Sequence, residues 1–340
     1  MKVDAAISTQ PGVELGVEAR RLEELGYDGV FTFEGPHDPF FALLLAAEHT
    51  ERLELATAIA VAFARSPMIL ANIAYDLQAY SKGRFILGLG SQIKPHIEKR
   101  FSQPWSKPAA RMRELVLAVR EIWRCWAQGG RLDFRGRFYS HTLMTPFFNP
   151  GPNPYGDPRI FVAGVGPRMT EVAGEVGDGF FVHPFHSAEF LAKSTLPALE
   201  RGRARSGRSA DDFEISTQLI VATGDTEERF QRARAAARSQ ISFSASTPAY
   251  RGVLECHGWG ELQTELNGLS KRGMWSEMAG LIEDPILDTV AVVGEPGEIA
   301  EKIRARCGSF TDRVSLVTPG AADPEAWGDV VRELRGPSGA

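Results

Sequence analysis

Residues 51–90, ERLELATAIAVAFARSPMILANIAYDLQAYSKGRFILGLG, contain two short apolar runs separated by a longer amphipathic segment. The two runs, Leu53–Ile59 and Arg84–Leu87, lack strict alternation, which is typical of strands that are buried on both faces. Between them, Ser66-Pro67 supplies an N-cap followed by proline at the first helical position, so a helix is predicted from there to about Ser81. This stretch therefore predicts a strand–helix–strand unit with parallel strands.

The same alternation continues in both directions along the chain. It predicts eight strands, each followed by a helix, with the last helix starting at Asp323-Pro324. Eight such units in 340 residues predict an α/β fold of the (β/α)8 TIM-barrel type. A doubly wound open sheet is the alternative. The predicted strands are Val3–Ile7, Gly29–Phe33, Leu53–Ile59, Arg84–Leu87, Ile160–Ala163, Gly179–Val182, Phe213–Val221 and Arg313–Val317.

Two segments do not follow this alternation. Residues 129–158 are rich in proline and glycine, and they predict a long ordered loop with room for one hairpin. Residues 241–288 exceed what one strand–helix connection needs, so they predict a helical insertion near the C-terminal ends of the strands, over the barrel mouth. Neither segment has the composition of a linker between domains, and residues 1–340 are therefore predicted to form a single domain.

Composition limits the function classes. The chain is 43% hydrophobic and 24% charged, which excludes disorder as its main state. A net charge of −5 argues against a nucleic-acid partner, because such proteins need a basic face. Three scattered cysteines, no signal peptide and no apolar run of membrane-spanning length predict a soluble, cytoplasmic protein without membrane contact.

In a barrel the active site lies at the C-terminal ends of the strands. After the second predicted strand, Glu34 and His37 stand in the turn 32-TFEGPHD-38. Glu34 is a candidate general acid or base, or a group that orients a cofactor. The alternative is a solvated loop that caps the next helix. The pair His183 and His186 is separated by proline, which argues against a metal site there, and no metal is predicted.

Two glycine turns indicate a phosphate-bearing cofactor. Gly88-Leu89-Gly90-Ser91-Gln92 follows the fourth strand, where glycine lets the backbone approach a planar ligand. Ala163-Gly164-Val165-Gly166-Pro167-Arg168-Met169 follows the fifth strand and aims free N–H groups and a cation at an anion. Both turns depart from the dinucleotide fingerprint, at Ile93 and Met169. The alternative is that they are two ordinary tight turns.

Taken together, these residues resemble the bacterial luciferase-like flavin and deazaflavin oxidoreductases, and most closely the branch that uses coenzyme F420. The 81-SKGRFILGLG-90 stretch is the most specific part of this resemblance, which covers nearly the whole chain outside 241–288. The other matching stretches are 26-GYDGVF-31, 55-LATAI-59, 65-RSP-67, 163-AGVGP-167 and 177-GDG-179.

The resemblance implies a cofactor at the barrel mouth and hydride transfer between the deazaflavin and a small organic substrate. It implies ring contacts for the acid Glu34, a cis peptide at Ala58-Ile59 and a ring-side place for Val61. It also implies a polar cofactor contact for His96. The remaining positions implied to bind cofactor are Gly90 and Ser91 beside the ring, and Gly164, Val165, Gly166, Arg168 and Met169 at the phosphate turn.

The chain also departs from the family pattern. Gly35 stands where the sugar-phosphate dehydrogenases of this branch carry a catalytic histidine, and Ile93 where they carry an acid. Sugar-phosphate dehydrogenation is therefore not expected, and His37 is the substitute catalytic candidate. An FMN-dependent monooxygenase and a cofactor-binding barrel without turnover stay as alternatives. The resemblance also implies a homodimer, and an apolar or aromatic substrate is suggested by Trp259, Trp275, Phe147 and Phe148.

Overall fold

The computed structural model describes residues 1–11, 14–319 and 327–336. Eight parallel strands close into a barrel, because the eighth strand pairs with the first as well as with the seventh. This confirms the predicted barrel and excludes the open-sheet alternative. The strands are β1 (Lys2–Ala6), β2 (Gly29–Thr32), β3 (Glu54–Thr57), β4 (Phe85–Gly90), β5 (Arg159–Ala163), β6 (Gly179–Val182), β7 (Glu214–Ala222) and β8 (Arg313–Val317).

Helices follow the strands and cover the outside of the barrel. They are α1 (Leu15–Glu24), α2 (Phe40–His49), α3 (Pro67–Tyr80), α4 (Pro108–Gln128), α5 (Pro167–Val176), α6 (Leu196–Ser206), α7 (Glu227–Ala245), α8 (Arg251–Glu255), α9 (Gly260–Lys271), α10 (Trp275–Gly280), α11 (Asp284–Val290), α12 (Ile299–Cys307) and α13 (Gly328–Arg335). As predicted, Ser66 caps α3 by accepting the Ile69 N–H. The predicted helix start at Asp323-Pro324 lies outside the described residues.

The third strand and the insertion differ in detail from the sequence prediction. The predicted strand Leu53–Ile59 ends at Thr57, and the chain resumes as the short strand Ala60–Val61 beside β4. The predicted insertion limits, residues 241 and 288, both fall inside helices, α7 and α11. Helix α7 continues past 241 because no glycine or proline interrupts it before residue 246. That residues 1–340 form a single domain stays a prediction.

The proline-rich segment contains a small antiparallel hairpin, in which Phe134–Arg135 pairs with Ser140–His141. Hydrogen bonds attach the rest of the segment to α3. The Tyr75 hydroxyl donates to the Gly151 carbonyl at 2.9 Å and accepts from the Asn153 N–H at 2.7 Å. Such bonds satisfy backbone groups that a loop of this length would otherwise leave to solvent.

The interior of the barrel is filled by side chains from alternate positions of the strands. Phe31, Ala56, Ile86, Phe161 and Phe181 form this inner cluster, and all of them are buried. The Phe161 and Phe181 rings lie 5.2 Å apart in a tilted arrangement. A larger apolar core lies between the barrel and its helices, where α4 contributes the buried indoles of Trp123 and Trp126.

The N-terminal end of the barrel is closed by a network of charges. Arg313, only 2% exposed, donates to both carboxylate oxygens of Asp4, at 2.6 and 2.9 Å. Its Nη2 also lies 2.8 Å from Glu54 Oε2, and its Nη1 lies 3.0 Å from Glu214 Oε2. Burial alone would raise the pKa of Glu54, but Arg313, Arg159 and Lys2 lower it to about 2. The network therefore keeps the Glu54 carboxylate ionised where β3 begins.

None of the helices in the described residues is both long and apolar enough to cross a membrane. The cytoplasmic location stays a prediction.

Candidate functional site

The C-terminal end of the barrel has an apolar floor. Ala58, Ile59 and Ala163 are partly buried and pack on the inner cluster of five buried side chains. They come from the ends of β3 and β5, which flank β4. An apolar surface at this depth suits one face of a planar ring, because apolar side chains exclude water.

The peptide bond between Ala58 and Ile59 is cis, as the resemblance implies. The Ile59 side chain packs closely on the end of β4, since a Cβ on Gly90 would lie 2.6 Å from Ile59 Cγ1. Gly90 is therefore required by close packing within the floor. Ser91 follows it, half-buried, and its hydroxyl donates to the Gln92 carbonyl at 3.1 Å.

Glu34 is held by the loop that follows β3. Its Oε2 accepts from the Val61 N–H at 2.6 Å and from Arg65 Nη1 at 2.7 Å, and its side chain is only 6% exposed. The Glu34 N–H also donates to the Ile59 carbonyl at 3.1 Å. Glu34 thus connects β2 to the floor. Val61 is fully buried, so it serves this contact through its backbone and does not line open space.

Arg65 bridges two carboxylates of the loop after β2. Besides Glu34, it binds Asp38 Oδ2 through Nη2 at 2.9 Å. Burial alone would lower the pKa of Arg65, but the two carboxylates raise it above its ordinary value. The Arg65 guanidinium therefore stays charged between the two carboxylates, and it fixes the relative positions of the loops after β2 and β3.

The other candidate acid–base residues are exposed. His37 lies in the loop between β2 and α2, at the surface of the mouth. Gly35 and Ile93 are the two positions that depart from the family pattern. The Gly35 carbonyl accepts a hydrogen bond from the Arg100 guanidinium, and Ile93 is 41% exposed. His96 starts a π-type turn, His96–Arg100, and is also exposed. The structure therefore brings Glu34, Ala58, Ile59 and Gly90 together, whereas His37 and His96 lie at the rim.

The turn after β5 has the geometry of an anion site. Gly166 is the N-cap of α5, with Pro167 at the first helical position, and Arg168 is exposed beside it. The nearby acid Glu171 pairs instead with Arg201 and Arg205, at 2.8 and 3.1 Å. This leaves the Arg168 charge and the helix N-terminus directed at solvent.

The rest of this turn is packed. Met169 is buried, and its side chain fills the space beside Gly164, where a Cβ would lie 2.6 Å from Met169 Cγ. Val165 lies between Gly164 and Gly166 in the sequence and is half-buried. Met169 therefore supports the turn from beneath, and Gly166 and Arg168 are the members that face outward.

Beyond β6, a histidine and a tyrosine stack at the mouth. The His183 ring lies 4.6 Å from the Tyr250 ring, which belongs to the helical segment after α7. Burial lowers the pKa of His183 to about 4, so its imidazole is neutral at physiological pH. His186 is fully buried and bonds through Nδ1 to the His183 carbonyl at 2.9 Å.

The four aromatic residues that suggest an apolar substrate belong to three separate contacts. Phe147 packs on Phe148, Trp275 on Phe243, and Trp259 on His257. Phe147 and Phe148 lie exposed on the proline-rich segment, which lines a groove of about 340 Å³. The structure therefore does not place these rings around one pocket.

The sequence motifs contain Asp38, Arg65 and His183, but the sequence alone assigns none of these three a role in the site. Arg65 directly precedes the Ser66-Pro67 helix start at the end of β3, which is the signal that could have identified it. No sequence signal identifies Tyr250, because its contact with His183 joins distant parts of the chain.

The sequence matches the family described as luciferase-like monooxygenase over residues 3–313. It is 55% identical to the uncharacterized protein Rv1360 of Mycobacterium tuberculosis (strain ATCC 25618 / H37Rv) over 92% of both chains. It is 28% identical to 5,10-methylenetetrahydromethanopterin reductase of Archaeoglobus fulgidus over 85% of both chains. Among solved structures, the coenzyme F420 dependent tetrahydromethanopterin reductase of Methanopyrus kandleri superimposes with a TM-score of 0.76, at 20% identity over 97% of both chains.

Proposed function

Because the chain belongs to the luciferase-like monooxygenase family, we propose that it is a coenzyme F420-dependent oxidoreductase that transfers a hydride between the deazaflavin and a small organic substrate. One observation carries this proposal. An apolar floor lies at the C-terminal ends of β3 to β5, and at the same end of the barrel the N-terminus of α5 faces outward beside the exposed cation Arg168. F420 combines a planar ring with a phosphate-bearing tail, so it matches both parts.

The described residues fit such a cofactor. Ala58, Ile59 and Ala163 would contact the ring, and the backbone at Gly90 and Ser91 would border it. Gly166 and Arg168 would hold the phosphate through N–H groups and a positive charge. The relative that is named a methylenetetrahydromethanopterin reductase supports this choice of cofactor class.

The chain's own groups orient the reactants and exclude water. When bound, F420 supplies the hydride-transferring ring carbon. The floor would keep water from one face of the ring, and the Glu34–Arg65 bridge holds the loops that would border it. Both bonds to Glu34 use the same oxygen and tie the carboxylate to the loop after β3, so we assign Glu34 a positioning role. His37, exposed at the rim, stays the candidate for exchanging a substrate proton with solvent.

The test is a cofactor titration of purified apoprotein, followed by quenching of its tryptophan fluorescence. We expect F420 to bind at least 10-fold more tightly than FMN. We also expect Arg168→Gln to weaken F420 binding about 10-fold, the loss of one charge-assisted hydrogen bond. Arg232→Gln is the matched control, because Arg232 is an exposed arginine on α7 paired with Glu228.

The other outcomes contradict the proposal in different ways. Tighter binding of FMN would favour a flavin monooxygenase, with oxygen consumption as the next assay. Tight F420 binding without turnover of any enone, ketone or alcohol would favour a barrel that only binds cofactor. Binding of neither cofactor would overturn the assignment of the site residues.

We also propose that the protein is a homodimer acting on a small apolar substrate. Helices α2 and α3 expose Phe41, Leu45, Ile69 and Tyr80, an apolar face that a second copy would cover. Light scattering is expected to show a dimer, and Phe41→Glu is expected to shift it to monomer. Phe147→Glu, at a more exposed position elsewhere, should leave the dimer intact. A wild-type monomer at micromolar concentration would refute this interface.

A further inference from the structure

A cluster of three possible metal ligands lies outside the barrel mouth, where the helical insertion meets the segment that follows β6. Its members are Glu189, Cys256 and His257. We propose that these three side chains bind one divalent ion of borderline softness, with Zn²⁺ as the best fit. The ion would fasten the insertion to the barrel. This proposal uses none of the residues assigned to the cofactor, so it stands or falls independently of the proposed function.

The ligand atoms are already close to one another. One oxygen, nitrogen or sulfur from each side chain lies within 4.8 Å of the other two. His257 Nδ1 is 3.5 Å from Glu189 Oε2. In tetrahedral zinc sites with bonds of about 2.0–2.3 Å, ligand atoms are about 3.3–3.8 Å apart. Binding would therefore require only a small contraction of the cluster, and the fourth position would be open to water.

The surroundings leave the required atoms free. Glu189 gives Oε1 to Lys193, in an ion pair of 2.5 Å, so that Oε2 faces His257. His257 Nε2 lies 2.7 Å from the Ser187 hydroxyl, and its ring stacks on Trp259. Histidines that bind a metal through one nitrogen usually hydrogen-bond through the other, which fixes their tautomer and orientation. His257 has this arrangement before any ion is bound.

Ser187, His257 and Glu189 resemble a Ser–His–carboxylate triad, in which Ser187 would be the nucleophile. Two observations argue against that reaction. Ser187 is only 1% exposed, so a substrate could not reach its oxygen. Its hydroxyl also accepts the Phe190 N–H at 3.1 Å as a helix N-cap, which occupies the oxygen in a structural role. Cys256, which a triad does not need, is the residue that completes a metal-ligand set.

The position of the cluster gives the ion a structural effect at the mouth. Ser187 and Glu189 follow β6 and the His183 loop, whereas Cys256 and His257 follow α8. Tyr250 directly precedes α8 and stacks on His183. An ion at the cluster would therefore hold α8 in place and, through it, the Tyr250 ring over His183.

The experiment is a titration of the reduced, chelator-treated protein with Co²⁺, followed by displacement with Zn²⁺. We expect one equivalent of Co²⁺ to bind and to produce a thiolate-to-cobalt charge-transfer band that Zn²⁺ removes. Cys256→Ser should abolish the band, and Glu189→Gln should weaken binding by 10-fold or more. Ser187→Ala, which keeps all three ligands, should weaken binding by about 10-fold through the loss of histidine orientation.

Cys125→Ser is the matched control, because Cys125 is a free thiol on α4 whose only described partner is the Gly130 carbonyl. It should keep the full band, and circular dichroism should show that every variant is folded. Absence of stoichiometric Co²⁺ binding, a spectrum without thiolate character, or a band that survives Cys256→Ser in a folded protein would each overturn the site.

Discussion

Replacing Arg313 by methionine is expected to lower the free energy of unfolding by about 3–5 kcal/mol. Arg313 lies 2% exposed among Asp4, Glu54 and Glu214 at the N-terminal end of the barrel. Methionine fills much of the same volume, but it leaves three carboxylates without their central cation. Removal of one partner from a buried ion network is costly because the remaining charges stay desolvated. Urea denaturation followed by circular dichroism measures the change.

A surface ion pair provides the control. Arg124 on α4 pairs with Glu121 at 2.6 Å, but its side chain is 47% exposed. Arg124→Met should cost much less than Arg313→Met, because exposed ion pairs contribute little to stability. A similar loss for Arg124→Met and Arg313→Met would contradict the role of burial in this argument.

The same network makes stability depend on pH. The pKa of Glu54 is about 2 in the folded protein and near 4.5 in an unfolded chain. A depressed pKa stabilises the folded state above the unfolded value, and this stabilisation is lost as pH falls from about 4.5 towards 2. We expect wild-type stability to fall over that interval, and the fall to be smaller in Arg313→Met, where Glu54 keeps Arg159 and Lys2 but loses Arg313 as a cationic partner. Equal slopes in the two proteins would contradict the assignment.

Replacing Arg65 by glutamine is expected to weaken F420 binding about 100-fold. The substitution leaves the Glu34 carboxylate, 6% exposed, with the Val61 N–H as its remaining described partner, and it releases Asp38. Breaking a buried pair costs about 3–5 kcal/mol, and part of that cost should appear as movement of the loops that border the ring. The readout is the F420 dissociation constant from tryptophan quenching.

Glu34→Gln separates positioning from proton transfer. A neutral amide can still accept the Arg65 and Val61 hydrogen bonds, so a positioning residue predicts a smaller increase in the dissociation constant than Arg65→Gln causes. The pH profile of hydride transfer should then be unchanged. A Glu34→Gln variant that binds F420 normally but loses turnover together with one limb of its pH profile would instead identify Glu34 as an acid or base.

The strand pattern predicted the barrel because buried parallel strands and capped helices have local signals, such as Ser66-Pro67 before α3. The chemistry at the strand ends was only partly predictable. Glu34 could be recognised from its position after β2, but its bond to Arg65 depends on how two loops fold against each other. The proposed metal cluster could not be predicted for the same reason. Glu189 and the Cys256-His257 pair are distant in sequence, and neither has a ligand spacing of its own.

The short strand Ala291–Val293 brings the chain back to the end of β7, where residues 223–290 begin. It pairs in parallel with Ile220–Ala222, the last residues of β7, so the segment between them begins and ends at one edge of the barrel. A segment whose ends are pinned together can change length at little entropic cost to the rest of the fold. Residues 223–290 therefore form a segment that can be exchanged as one unit, and chimaeras that take this segment from a relative should keep the barrel while acquiring the donor's helical insertion.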